Sequence, residues 1–83
     1  MKKSLGRYVI VDAEICHGQP TFDGTRIFVS DVLADVARGM DWDAIIKRWH
    51  GAITKDAIAE AVELAGEALA SRSDALVREP AVQ

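Results

Sequence analysis

A thiol and an imidazole stand side by side at Cys16-His17, with Asp12 and Glu14 just before them and Asp41, Asp43 and His50 further on. These are the groups to test first for chemistry. A zinc site wants four ligands, commonly arranged as paired Cys and His turns, and one Cys-His dipeptide with no second cluster does not supply them. Paired carboxylates do acid–base work only in a shared, desolvated pocket, and Asp41 is already accounted for as a helix cap. The sequence carries no Ser-His-Asp arrangement, no phosphate-cradling glycine loop and no His-x-x-x-His pair. The expectation is a chain without catalytic residues, metal or cofactor.

Charged residues carry more information. Asp56, Glu60, Glu63 and Glu67 fall within about 60° of one another on a helical wheel, opposite Ile58 and Val62. Such a stripe is either a solvated helix face or a surface complementary to a basic partner. Laid in a DNA groove it would face phosphates and lose the counterion release that drives such binding. Candidate DNA contacts therefore lie elsewhere: Lys2, Lys3 and Arg7 as a basic N-terminal arm, Lys47 and Arg48 on a second helix, and Lys55 at the start of the third. Each is also an ordinary solubility charge. Arg26 stands apart, since a guanidinium can grip a carboxylate through two parallel bonds. It either bridges to Asp12, Glu14 or Asp23 or belongs to a partner or dimer surface. Arg72 and Arg78, beside Leu76 and Val77, sit in a stretch without clear periodicity.

The elements that must position these groups follow from pattern. Eighty-three residues with 49% hydrophobic content make one small domain, and a charge of −3 gives no general attraction to nucleic acid. One cysteine excludes an internal disulfide and fits a reducing, cytoplasmic setting. No segment is apolar enough for secretion or a membrane span. Tyr8–Val11 reads as a strand. Asp23-Gly24 predicts a tight hairpin with a type I′ turn, within a β region at 8–29. Three helices follow at about 30–38, 42–50 and 55–70, capped by Ser30, Asp41 and Thr54 and closed by Gly39 and Gly51. Val32, Leu33, Val36 and Ala37 line the first. Trp42, Ile45, Ile46 and Trp49 line the second, with the two tryptophans either in the core or at a dimer interface. Ile58, Val62, Ala65 and Leu69 line the third. Residues 71–83 read as a C-terminal tail.

The segments Gly18-Gln19-Pro20, Gly24-Thr25-Arg26-Ile27, Val29-Ser30-Asp31-Val32-Leu33 and Gly39-Met40 resemble domain-of-unknown-function family 433. The resemblance spans about Tyr8 to Ala70; Gln19 stands where a basic residue is commoner. It implies a homeodomain-like three-helix fold and an antitoxin of a type II toxin–antitoxin pair. The implied partner is a PIN-like ribonuclease, with operator DNA as a further ligand and a homodimer or higher assembly. The expected fold is mainly α: a short N-terminal β-hairpin region followed by a three-helix, homeodomain-like (helix-turn-helix) bundle. The expected partner or dimer surface comprises Arg26, Asp56, Glu60, Glu63, Glu67, Arg72 and Arg78. The alternative is a stand-alone DNA-binding transcriptional regulator.

Overall fold

A computed structural model describes residues 1–78. Three short strands, β1 (Lys2–Ser4), β2 (Val9–Asp12) and β3 (Thr21–Phe22), form one antiparallel sheet in the order β1-β2-β3. Three helices follow: α1 (Val29–Ala37), α2 (Trp42–Arg48) and α3 (Lys55–Arg78). This corrects the expectation of a mainly α chain: sheet and helices together make a mixed α+β fold. The strand overlooked in the sequence is β1. Its residues are polar and exposed, and its conformation comes from pairing Lys2 with Asp12, Lys3 with Val11 and Ser4 with Ile10. Lysines suit such an edge, because they discourage a further strand from adding to it.

The turn at Asp23-Gly24 exists but differs in kind. Thr25 N–H donates to Phe22 C=O (2.9 Å), and positive φ occurs at Gly24 but not at Asp23, the pattern of a type II rather than a type I′ turn. Type II turns splay flanking strands. Accordingly β3 pairs with β2, and the only bridge across the turn is Thr21 to Phe28.

The helix boundaries follow local chemistry with two departures. Phe28, not Ser30, is the N-cap of α1, without a side-chain bond. Asp41 caps α2 by accepting from Ala44 N–H (2.9 Å), and Thr54 caps α3 by accepting from Ala57 N–H (3.1 Å). Gly39, at φ 81, ends α1: its N–H bonds Val36 C=O while Met40 N–H bonds Asp35 C=O. The same motif ends α2, but there His50, at φ 57, takes the first left-handed position ahead of Gly51.

One core joins the layers. Val9 and Phe22 come from the sheet, Val29 and Val32 from α1, Ile45 from α2, Ile53 from the turn before α3, and Ala57, Ile58 and Ala61 from the start of α3. Trp42 and Trp49 are half-buried against it. Ala37, expected inside, is exposed.

The third helix holds the largest departure. It does not stop near residue 70 but continues through Arg78, so residues 71–78 are helical rather than a frayed tail. Past Leu64 none of the described residues covers it, and residues 65–77 are all exposed. Val62, Ala65 and Leu69, expected in the core, are exposed as well, Leu69 at 66%. The body ends and the helix goes on.

Candidate functional site

Glu60 and its three acidic neighbours have different fates. Asp56, Glu63 and Glu67 are exposed, and among the described residues none makes an ion pair. Glu60 is half-buried and turned into the molecule. Its carboxylate accepts the backbone N–H groups of Arg7 (2.6 Å), Tyr8 (2.7 Å) and Val9 (2.8 Å). Burial pushes its pKa up, but the bonds from Tyr8, Arg7 and Val9 and the Arg7 charge outweigh that and hold it below the ordinary 4.5. Gly6 makes this approach feasible, since a Cβ there would lie 2.6 Å from the Glu60 carboxyl carbon. The expected stripe of four is thus a row of three plus one internal clamp. A wheel places a residue on a face but cannot show that a distant loop arrives there.

The candidate DNA contacts are also dispersed. Lys2 and Lys3 belong to β1 rather than to a free arm, and Lys2 bridges to Asp23 (3.3 Å). Lys55 pairs with Asp43 (3.1 Å). Arg7 lies over the Tyr8 ring, 5.6 Å from its centroid. Arg48 donates to Asp35 (3.0 Å) and stacks on Trp49 at 5.0 Å. Lys3 and Lys47 are exposed and have no ion pair among the described residues.

Arg26 does not bridge to Asp12, Glu14 or Asp23. It is exposed on the rim of a shallow hollow of about 390 Å³ lined by Lys2, Ile10, Ile15, Asp23 and Thr25. Beside it, Cys16, His17 and Gly18 form a turn with φ of 51, 57 and 80. Two consecutive non-glycine residues in the left-handed region store roughly 1–2 kcal/mol each. The Cys16 thiol lies 4.0 Å from the Arg26 carbonyl. Among the described residues, no group of three or more His, Cys, Asp or Glu could hold a metal. Arg72 is exposed on α3, while Arg78 ends that helix and its side chain lies outside the described residues.

The most organised polar cluster was not read from the sequence at all. Asp35 of α1 is completely buried, and its carboxylate accepts from Arg38, from Arg48 Nε (3.0 Å) and from Trp49 Nε1 (3.0 Å). Two arginines and an indole saturate a carboxylate that burial would otherwise penalise heavily. The arrangement ties α1 to the end of α2. A signal did exist: Asp35 sits three residues after Val32 and one before Val36, inside the apolar arc, with Arg38 one turn on.

No helix of the described residues is long and apolar enough to cross a membrane. The surface therefore offers three things: an acidic row on α3, a bare helical extension of α3, and the Arg26 rim. Comparison with curated proteins and with solved structures finds no match. A family model does match, from the first residue of β2 to the point where α3 leaves the body. Spanning residues 9–65, that match shows that the chain belongs to the family described as protein of unknown function (DUF433).

Proposed function

We propose that this chain is a non-catalytic binding protein of the antitoxin kind, which neutralises a PIN-like ribonuclease by direct contact and regulates its own operon as part of that complex. The observation that carries the reading is the row Asp56, Glu63 and Glu67, exposed and unpaired among the described residues. A ribonuclease must hold a polyanion, so its substrate path is basic. Carboxylates spaced along a rigid helix, with rises of about 10 Å and 6 Å between them, compete for that path as phosphates do. The helix needs no ordering before it binds. The alternative, a stand-alone DNA-binding regulator, loses support because Lys2, Arg48 and Lys55 are ion-paired within the chain.

The test is RNA cleavage by a PIN-like ribonuclease encoded beside this gene, measured with increasing amounts of this chain. Inhibition near one-to-one is expected, weakening as salt screens the contact. Asp56→Lys, Glu63→Lys and Glu67→Lys together are expected to raise the inhibition constant at least about tenfold. Undiminished cleavage in the presence of the wild-type chain would sink the proposal.

A further inference from the structure

The bare half of α3 prolongs a repeat that begins within the body. Ala61-Val62, Ala68-Leu69 and Ala75-Leu76 recur at an interval of seven, so two columns, one small and one large, run side by side along the helix. Ala61 is buried in the core, and Val62 is 38%, Leu69 66% and Leu76 56% exposed. The stripe is thus a continuation of the face by which α3 packs its own body, prolonged beyond the place where the body ends. At about 100° per residue it lies opposite Asp56, Glu63 and Glu67. It is a separate surface from the acidic row.

We infer that this face pairs with the same face of a second copy of the chain, in an antiparallel helix pair centred on Leu69. Self-complementarity follows from the repeat: a twofold axis at Leu69 sets Leu76 of each copy on Val62 of the other. Orientation follows from Arg72, which lies on the same face between Leu69 and Leu76. Parallel pairing in register would press Arg72 against its own counterpart inside an apolar seam, which like charges oppose. Antiparallel pairing about that axis sets each Arg72 level with the other copy's Gly66, with Ala65 beside it on the seam. Those small residues leave room for the arginine stem to lie flat while its guanidinium reaches water. The alanine column lets the backbones approach closely.

The area fits a concentration-dependent association. Covering the exposed parts of this stripe along about 27 Å of helix on two copies removes roughly 1,000 Å², the lower bound for a specific interface. The family match ends at residue 65, so the seam lies almost wholly beyond it. The inference does not rest on the antitoxin reading, which uses the opposite face.

The full-length chain tests it, by light scattering or sedimentation over about a hundredfold range of concentration. The expected mass rises from the 9.0 kDa of one chain toward twice that value. Leu69→Glu, exposed in the single chain and so harmless to its core, is expected to weaken the pair about a hundredfold or more, with unchanged near-ultraviolet dichroism from Trp42 and Trp49. In a Cys16→Ser background, a chain carrying Val62→Cys is expected to form a disulfide with one carrying Leu76→Cys, and not with itself. A monomer at every concentration overturns the inference. So does a dimer indifferent to Leu69→Glu, or a Val62→Cys homodisulfide in place of the mixed one. A chain that stays monomeric while Leu69→Glu abolishes nuclease inhibition assigns the face to the other protein and likewise overturns it.

Discussion

The two halves of α3 share one backbone and have opposite supports. Ala57, Ile58 and Ala61 lie under the sheet and the other helices, whereas residues 65–77 touch no core. The first half is a helix because burying its apolar face stabilises it. The second is a helix because Ala, Leu, Glu and Arg favour that state and because a formed helix needs no new nucleus to propagate. Ionised groups divide by face rather than by half. Asp35 and Glu60, in or facing the body, have all their bonds inside the chain, while Asp56, Glu63 and Glu67 point outward. Similar residue types thus hold a fold together on one face and meet solvent on the other.

Removing the buried carboxylate tests the body most severely. Asp35→Ala strands Trp49 Nε1 and releases Arg38 and Arg48, and is expected to cost about 3 kcal/mol in denaturant unfolding, the lower part of the range for a broken buried pair. Both arginines are about half-exposed and recover water, which keeps the figure from the upper part.

Glu60→Ala removes the acceptor of three backbone donors and is expected to cost about 2 kcal/mol. Glu63→Ala, three residues along the same helix, should stay within about 0.5 kcal/mol. Equal effects would erase the distinction between the two faces of α3. Glu60 also predicts a pH dependence. Its folded pKa lies below the ordinary 4.5, so its contribution is complete above that value and is lost as pH falls through the folded pKa. Stability curves for wild type and Glu60→Gln are expected to converge in acid, and curves that stay parallel would remove the clamp.

Much of the body was legible because local chemistry decided it. Asp41, Thr54 and Gly39 do at the helix ends what their residue types imply. What could not be read depended on partners far along the chain. β1 is a strand by pairing and has no apolar alternation to announce it. Glu60 looks like a surface acid until Arg7–Val9 are brought to it, and Asp35, though inside the apolar arc of α1, gives no sign of the Arg48 and Trp49 that meet it. The Cys16–Gly18 turn gave no signal, because two of its three left-handed residues are not glycine. The long α3 was missed for another reason: Ser71-Arg72-Ser73 breaks the 3.6-residue pattern, although the seven-residue repeat runs straight through it.

Two smaller effects complete the comparison. His50→Gly relieves a left-handed non-glycine residue at the end of α2 and is expected to raise stability by about 1 kcal/mol, read as a higher unfolding midpoint. Ala70→Gly lies off the Ala–Leu stripe. It should weaken the helix locally by about 1 kcal/mol, seen as faster amide exchange in the projecting half, and leave the unfolding midpoint in place. A midpoint shift as large as that of Glu60→Ala would mean that both halves unfold as one unit.

The Glu60 clamp also bears on the order of events during synthesis. Its donors precede it by 51 to 53 residues, so the loop joining β1 to β2 leaves the ribosome long before the carboxylate that fastens it. Until residue 60 emerges the early strands lack both that carboxylate and the Ala57–Ala61 part of the core, and so short a sheet is marginal without them. The last helix is thus the latch that turns a provisional hairpin into a finished protein, and chains released before it is made leave that hairpin unlatched.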